Sequence, residues 1–379
     1  MEKLYKVQTG AYRSRAHAVA ASIVVENAIK KYLQKKKIIE KVSVAVISSG
    51  GWHKVQVGAF ANRENAEQRL VLVKAAGFKK AQIMETQTQD PAEGEHPRIR
   101  IWPIWFFEGD ESAYGDCTAI LEYAADNKTV AHCILIDCAM AKTADVVIRK
   151  LKAAGVKRID AVVLSHGHGD HYGGISAIRR AIPIGKLYLP DCTELDKYQK
   201  TYGDALRRQA AKIGDSCFMR PGSSFQVGNI NCECLYICPA KDLKEHDTHH
   251  FVNNQSMALM FTLDGKARYF TAGDLQNEGN KLLIKAVTAI RAHIYKFQWH
   301  GDRNALLTAM IKLIRPLICI SDYHHKETKG GRQLTRRVAE AAGAIVMQNW
   351  LHGDIYIDCQ KDTITVTCSK SDFRKVFKV

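Results

Sequence analysis

The most constraining feature of this 379-residue chain is a short segment in which four side chains able to bind metal ions follow an apolar strand. Residues 162–171 read VVLSHGHGDH. The β-branched apolar run predicts a buried strand, and the glycines after it let the backbone turn tightly. His166 and His168 lie two residues apart and point the same way, whereas Asp170 and His171 follow the turn and address a second ion. Imidazole and carboxylate ligands predict two divalent ions here, with Zn²⁺ expected first and Mn²⁺ as the alternative.

The HxHxDH motif after an apolar strand resembles the first metal motif of the metallo-β-lactamase superfamily, and later segments agree with that family in their order. Residues 268–274 (RYFTAGD) end in Asp274, which the resemblance makes the aspartate that bridges both ions. Residues 296–301 (KFQWHG) contain His300, at the position of the last histidine ligand. The resemblance implies an α/β fold, a four-layer αβ/βα sandwich that covers about residues 99–360.

Within the superfamily, the chain is similar to the hydrolase domain attached to competence DNA-uptake channels and to its free-standing relatives. The similarity rests on residues 252–259 (VNNQSMAL), on the TAGD at 271–274 and on the WHG at 299–301. Trp299 departs from this pattern, since relatives have a histidine there, and so does Asp302, which replaces a serine. An aspartate at the bridging position is typical of phosphodiesterases, nucleases and thioester hydrolases, whereas β-lactam-hydrolysing enzymes usually have a cysteine.

The third ligand of the first ion has several candidates. His246, His249 and His250 lie just before an asparagine pair, and the side-chain amide of Asn254 is a fourth candidate. We include Asn254 in the expected ligand set and keep the histidines as alternatives. His325, in the segment SDYHH after another apolar strand, is predicted to be the acid that protonates the leaving group.

A site of this kind predicts a hydrolase that attacks with a hydroxide held between two ions about 3.5–4 Å apart. His166 and His168 would hold one ion, while Asp170, His171 and His300 shape the other, and Asp170 would also orient the nucleophile. A phosphodiester is the expected substrate, nucleic acid included, because two cations stabilise the charge that develops on its oxygens. Two alternatives stay open: hydrolysis of another wall-linked ester or amide bond, and a non-catalytic wall-binding protein with an incomplete metal site.

A second feature is an internal repeat near the start of the chain. Residues 6–12 (KVQTGAY) recur as residues 54–60 (KVQVGAF), and each copy is followed by a helical pattern and a further strand. The predicted order β-α-β-β-α-β makes one small α/β unit from two half-units. The doubled strand resembles that of SPOR domains, which bind the glycan strands of peptidoglycan. By that resemblance, the positions expected to contact glycan are Gln8, Tyr12, Gln56 and Phe60.

The two patterned regions divide the chain into a SPOR-like domain at residues 1–87, a polar linker at 88–98 and a hydrolase domain at 99–379. Residues 1–90 carry 16 Lys/Arg against 7 Asp/Glu, and the rest of the chain carries 39 against 32. The net charge of +16 favours an anionic partner, either peptidoglycan or another wall polymer. Eleven cysteines without a CxxC pair, no apolar leader and no apolar run of 18 residues predict a cytoplasmic protein without a membrane span. Contact with the wall would then follow release or an unrecognised route of export.

Overall fold

The computed structural model describes most of the chain. The described residues are 3–36, 44–49, 52–60, 63–87, 96–106, 115–191, 193, 197–198, 200–244, 249–287, 290–302, 305, 307–322 and 331–379. The chain forms two compact units, residues 1–95 and 96–379, and each is described by itself. Residues 88–95 of the expected linker lie outside the described segments, so the predicted domain boundaries stay predictions. None of the described helices has both the length and the apolar character that crossing a membrane requires.

The first unit is a four-stranded antiparallel sheet packed against two helices. Its elements are β1 (Lys3–Tyr12), α1 (Arg15–Lys36), β2 (Val44–Ser49), β3 (Trp52–Phe60), α2 (Arg63–Ala75) and β4 (Gln82–Gln87), with the strands in the order β2-β3-β1-β4. This is the predicted β-α-β-β-α-β succession. Val7 of β1 and Val55 of β3 are fully buried against Ile29 of α1 and Val73 of α2, so one face of the sheet supplies the core.

Both copies of the KVQxGA repeat contain a β-bulge, which is one extra residue in one strand of a pair. The pairing of β1 with β3 passes over Thr9 in the first copy and over Gly58 in the second. Gly58 has a φ of 76°, in the left-handed region that glycine adopts without steric cost. A bulge interrupts the alternation of side chains between the two faces, so residues before and after it no longer follow one period-2 pattern.

The second unit contains two packed β-sheets with helices on both outer faces, which is the predicted four-layer αβ/βα sandwich. Its strands are β5 (Ile99–Pro103), β6 (Thr118–Tyr123), β7 (Val130–Ile136), β8 (Ile159–Val163), β9 (Ile184–Pro190), β10 (Ser216–Met219), β11 (Ser224–Val227), β12 (Ile230–Tyr236), β13 (Ala258–Leu263), β14 (Ala267–Thr271), β15 (Ile294–Lys296), β16 (Ile318–Ser321), β17 (Ile345–Gln348), β18 (Ile355–Gln360), β19 (Thr363–Cys368) and β20 (Arg374–Lys378). Its helices are α3 (Ala144–Ala153), α4 (Gly169–Tyr172), α5 (Ile175–Ala181), α6 (Lys200–Ile213), α7 (His249–Asn253), α8 (Asn277–Ala286), α9 (Leu307–Ile314), α10 (Gly331–Ala341) and α11 (Asn349–His352). The first sheet has the order β10-β9-β8-β7-β6-β5-β18-β19-β20, and the second has the order β11-β12-β13-β14-β15-β16-β17.

The central strands of the first sheet are buried on both faces, which explains their nearly continuous apolar sequences. Ile134 and Val163 pack in the layer between the two sheets, whereas Leu135 and Val162 pack against the helices on the outer face. A third cluster holds α8, α9 and α10 against the outer face of the second sheet. Burial of these strands holds their ends rigidly, and the ends carry the polar residues described below.

The polar segments of interest follow parallel strands and meet at one edge of the two sheets. β7 and β8 run parallel in the first sheet, while β14, β15 and β16 run parallel in the second. The HxHxDH segment follows β8. Asp274 follows β14, His300 follows β15 and Asp322 follows β16. Carboxyl ends of neighbouring parallel strands are where open α/β sheets place their ligand sites.

Candidate metal centre

The HxHxDH segment lies where the chain leaves β8 and enters the short helix α4. His166 is fully buried, and its Nε2 lies 3.0 Å from Nδ1 of His168, the residue immediately before α4. Asp170 and His171 lie within α4. The turn is packed tightly against Gly115, whose φ is +107°, since a Cβ placed there would lie 2.1 Å from the carbonyl oxygen of Asp170.

Four of the predicted ligands form one cluster. Asp170, His171, Asp274 and His300 each place a possible ligand atom so that all four lie within 4.8 Å of one another. His171 Nε2 is 3.6 Å from Asp170 Oδ2 and 3.3 Å from Asp274 Oδ2. His300 Nε2 lies 3.8 Å from the same Asp274 oxygen. The structure thus brings together residues that are up to 130 positions apart in the sequence.

The donor set of this cluster fits a divalent cation. His171 Nε2 and Asp274 Oδ1 are buried and have no hydrogen-bond partner within the described segments. A buried polar atom without a partner costs about 1–3 kcal/mol, which coordination of an ion would remove. Burial alone would lower the pKa of His171, but the surrounding carboxylates raise it well above the usual value. The negative charge gathered here is the charge that a divalent cation would balance.

A carboxylate on the far side of His171 fixes the direction of its ring. Asp137 Oδ2 lies 2.8 Å from His171 Nδ1, so Nδ1–H donates to the carboxylate and Nε2 faces the cluster. Asp137 also accepts hydrogen bonds from the backbone N–H and the hydroxyl of Ser165, each at 2.7 Å. A histidine oriented by a carboxylate in this way is typical of metal ligands. Sequence reasoning gave Asp137 no role.

Three imidazoles form a chain of contacts next to this cluster, which begins with His166, whose ring centre lies 4.1 Å from that of His171. Besides the contact between His166 and His168, Nε2 of His168 lies 3.4 Å from Nδ1 of His249, which begins α7. Burial lowers the pKa of His166 well below its usual value, so this ring is neutral, as a metal ligand must be. The Tyr202 hydroxyl lies 3.2 Å from His249 Nδ1. Of the two histidines considered for the third ligand that lie within the described residues, His249 contacts this group and His250 contacts Gln276 instead.

The other candidates for that ligand are placed differently. The Oδ1 atom of Asn254 accepts the backbone N–H groups of Gln276 and Gly279, at 3.1 and 3.0 Å. These two bonds occupy both lone pairs of the oxygen and hold the start of α8, so the expectation of Asn254 as a ligand does not fit this geometry. His250 Nδ1 contacts the side chain of Gln276 at 2.7 Å. His246 and the predicted acid His325 lie outside the described residues.

Two more buried aspartates and a buried lysine lie beside His300, and sequence reasoning missed all three. Lys296 Nζ is 2.5 Å from Asp116 Oδ2 and 3.0 Å from Asp322 Oδ2. His300 Nδ1 is 3.1 Å from Asp116 Oδ1 and 3.2 Å from Asp322 Oδ1. Burial would raise the pKa of Asp116, yet the cations of Lys296 and His300 hold it well below its usual value. Burial, with the charge of Asp116, raises the pKa of Asp322 to about 6.

The backbone is strained at the same place. Trp299 and His300 have φ values of 45° and 55°, and Asp137 has a φ of 56°. Residues other than glycine occupy this left-handed region at a cost of about 1–3 kcal/mol, and such residues concentrate at functional sites. Two of the three carry or orient a candidate ligand, so the strain coincides with the cluster.

The cluster opens into a cleft with a volume of about 790 Å³. Asp170, Asp274 and His300 line the cleft together with aromatic side chains, among them Tyr172 and Tyr202. A cleft of this size accepts a substrate larger than a single small anion. The arrangement can therefore hold cations next to a surface that binds apolar or aromatic parts of a ligand.

The predicted glycan-binding residues lie in the first unit, and they do not share one face. Gln8 and Gln56 are directly opposite each other in β1 and β3 and alternate with buried valines, so they lie on the face away from the helices. The Oε1 atom of Gln8 is buried and has no partner within the described part of this unit. Tyr12 follows the bulge at Thr9 and packs against the hydrophobic core, on the other face. For Phe60 only the backbone is described, and it pairs with Tyr5.

An aromatic residue that sequence reasoning missed does lie on the glutamine face. Trp52 and Gln56 are four residues apart in β3, which pairs with β2 over this length without a register shift, so both lie on one face. Trp52 is 38% exposed, and the guanidinium of Arg13 lies 3.8 Å from the centre of its ring. Counting outward from Gln56 along an unbroken strand would have found this residue.

Comparisons with known proteins agree with the two resemblances. Residues 128–224 match the model of the metallo-beta-lactamase superfamily, and residues 2–84 match the model of the SPOR domain. Among curated proteins, ComE operon protein 3 of Bacillus subtilis (strain 168) is 24% identical over 190 residues, which are 48% of this chain and 23% of that protein. The match spans less than a quarter of that relative. The predicted combination of a metallo-β-lactamase-superfamily domain with a SPOR domain is confirmed, and the expected class of metal-dependent enzyme agrees with it.

Solved structures are also similar to parts of the chain. CmlA, a diiron beta-hydroxylase from Streptomyces venezuelae, is 12% identical, with a TM-score of 0.43, over 83% of this chain and 59% of that chain. MEM-A1, a subclass B3 metallo-beta-lactamase from a soil metagenome library, is 19% identical, with a TM-score of 0.35, over 60% of this chain and 86% of that one. The peptidoglycan binding domain of the B. subtilis cell wall lytic enzyme CwlC is 31% identical, with a TM-score of 0.18, over 23% of this chain and 94% of that one.

Proposed function

We propose that this chain, whose residues 128–224 match the metallo-β-lactamase superfamily and whose residues 2–84 match the SPOR domain, is a metal-dependent phosphodiesterase that binds peptidoglycan. The observation that carries the proposal is the buried cluster of Asp170, His171, Asp274 and His300, which contains partnerless ligand atoms and opens into a cleft. An acidic, partly imidazole site of this kind suits hard to borderline divalent ions such as Mn²⁺ and Zn²⁺.

We assign the ligands in two groups that share one aspartate. His166 and His168, which contact each other, form the first group, with His249 beside His168 as a further candidate. Asp170, His171 and His300 form the second group, and their ligand atoms and that of Asp274 lie within 4.8 Å of one another. We propose that Asp274, whose Oδ2 lies 3.3 Å from His171 Nε2, is the aspartate that both groups share. When bound, two divalent ions supply Lewis acidity, which polarises the substrate and lowers the pKa of water.

The remaining steps belong to side chains of the cleft. Asp170 lines the cleft and is partly exposed, so its carboxylate can accept a hydrogen bond from the attacking water and orient it. Tyr172 and Tyr202 line the same cleft, where their rings exclude water and pack against the non-reacting part of the substrate. Asp137 keeps Nε2 of His171 directed at the cluster throughout.

Two features favour a phosphodiester over another bond. The bridging position is an aspartate, Asp274, and not the cysteine found there in β-lactam-hydrolysing relatives. The net charge of +16 also attracts polyanions and raises their rate of encounter. Nucleic acids and phosphodiester-linked wall polymers both satisfy this chemistry.

Hydrolysis of chromogenic substrates tests this proposal. The full chain, loaded with Zn²⁺ or Mn²⁺, should hydrolyse bis-p-nitrophenyl phosphate faster than p-nitrophenyl acetate. Asp274→Asn should abolish that turnover, whereas Asp358→Asn should retain it, because Asp358 pairs with Arg100 between β18 and β5, outside the cleft. Equal turnover by wild type and Asp274→Asn would refute the mechanism. Faster hydrolysis of p-nitrophenyl acetate would instead indicate that the substrate is a carboxylic ester.

We propose that the SPOR domain holds the chain to peptidoglycan through the face that carries Gln8, Gln56 and Trp52. The exposed ring of Trp52 offers a surface on which a sugar ring can stack, and on the same face Gln8 has a buried oxygen without a partner within the described part of this unit. In a sacculus pull-down, the double variant Gln8→Ala/Trp52→Ala should lose binding. Gln68→Ala, an exposed change on α2, should not. Retention of the double variant by sacculi would exclude this face.

A further inference from the structure

Lys296 is a charged residue in a place where charge is costly. It ends β15, in the interior of the second sheet, and is 2% exposed. A buried ammonium group is tolerated only where carboxylates or other acceptors surround it. It does not line the cleft, so it reaches a substrate only through other residues.

The two aspartates beside Lys296 each contact the lysine with one carboxylate oxygen and His300 with the other. Asp116 and Asp322 each place Oδ2 next to the ammonium group, at 2.5 and 3.0 Å. Each then places Oδ1 next to Nδ1 of His300, at 3.1 and 3.2 Å. The lysine therefore fixes the two carboxylates that hold one side of the His300 ring.

We propose that Lys296 is a positioning residue for the metal cluster, acting through Asp116 and Asp322 on His300. With Nδ1 held between two carboxylates, Nε2 faces Asp274, whose Oδ2 lies 3.8 Å away. The inference rests on the proposed function, because it assumes that an ion binds at His300.

The conformation of His300 explains why such support is needed. Its φ of 55° is a strained value, held by the packing around it rather than by its own preference. Without the lysine, two buried carboxylates would repel each other and turn away, and the His300 ring would lose its fixed orientation. A metal site that loses an outer partner of a ligand typically binds its ion about 10–100-fold less tightly.

A competing explanation gives Lys296 a purely structural role. Asp116 precedes β6 of the first sheet, so the ion pair also ties the two sheets together. A structural role would lower the melting temperature of a variant without changing the affinity of the folded protein for metal. Metal affinity, measured apart from turnover, separates the two explanations.

The test uses the full chain stripped of metal with a chelator and titrated calorimetrically with Zn²⁺ and, separately, Mn²⁺. Lys296→Met should bind about 10–100-fold more weakly than the wild type. The matched control is Lys150→Met, since Lys150 is also largely buried and lies 2.5 Å from Asp354, away from the cluster. That control should lose thermal stability and keep the wild-type affinity.

The outcomes separate this inference from the proposed function. A wild-type chain that binds neither ion refutes both. A wild-type chain that binds metal, with equal affinity in Lys296→Met, refutes the inference alone. If Lys296→Met does not fold, Lys296→Met/Asp322→Asn removes a negative charge together with the positive one. That variant should fold and bind metal weakly, and wild-type affinity in it would overturn the inference.

Discussion

Asp137 gives the sharpest link between one side chain and metal binding. Its two oxygens accept three hydrogen bonds, from the backbone and hydroxyl of Ser165 at 2.7 Å and from His171 Nδ1–H at 2.8 Å. Asparagine keeps the size of the side chain but replaces one oxygen with an N–H donor. If that donor faces His171, the ring must carry its proton on Nε2 and cannot ligate. If it faces Ser165 instead, two donors oppose each other.

Either orientation of Asp137→Asn loses one hydrogen bond to a charged acceptor, worth about 1.5–3 kcal/mol. At about 1.4 kcal/mol per tenfold change, this corresponds to roughly 10–150-fold weaker binding of the ion that we propose His171 ligates. Calorimetric titration of the metal-free chain with Zn²⁺ measures the difference. Asp160→Asn is the matched control, because Asp160 also accepts a backbone N–H, from Cys133, but lies outside the cluster. Undiminished affinity in Asp137→Asn, beside an unchanged control, would show that His171 does not depend on Asp137 for its orientation.

Three further predictions concern stability. Ile134→Ala removes a fully buried side chain from between the two sheets and should lower the free energy of unfolding by about 2–5 kcal/mol in urea denaturation. Gly115→Ala should lower the melting temperature and the yield of folded protein, since its Cβ would meet the Asp170 carbonyl and its φ is unfavourable for alanine; a wild-type melting curve would contradict this. Hydrogen bonds, chiefly from the Thr129 hydroxyl, lower the pKa of Asp126 to about 2, below its unfolded value of about 3.9. The stability that Asp126 contributes is therefore present above about pH 4 and lost as the pH falls to 2, so the melting temperatures of wild type and Asp126→Asn should differ at pH 5 and converge at pH 2.

The sequence alone was sufficient to predict that the residues following strongly apolar strands lie close together. Asp170, His171, Asp274 and His300 each come directly after such a strand or its turn, and buried parallel strands deliver their carboxyl ends to one edge. The pattern of hydrophobic residues therefore predicts that these four residues lie near one another. The assignment of each to an ion remains a prediction.

The groups that support the ligands could not be found in the same way. Asp116 and Lys296 are 180 positions apart and belong to different sheets, so their contact depends on how the two sheets pack. A lysine at the end of a strand is usually solvated, and the residues next to Lys296 in the sequence do not indicate that it is buried. The hydrogen bonds of Asn254 could not be predicted for a related reason, because the start of α8, which donates them, is formed by residues more than 20 positions later.

The repeat of the first unit shows how a single residue type could have corrected the prediction. Period-2 alternation across residues 6–12 would place Gln8 and Tyr12 on one face, and the resemblance to SPOR domains assigns both positions to glycan. In each copy, however, a glycine follows the glutamine by two positions, and glycine within a strand marks a bulge. In the first copy the extra residue, Thr9, places the side chain of Tyr12 on the core face. We therefore expect an aromatic residue that contacts glycan to lie before the bulge, as Trp52 does, and not after it.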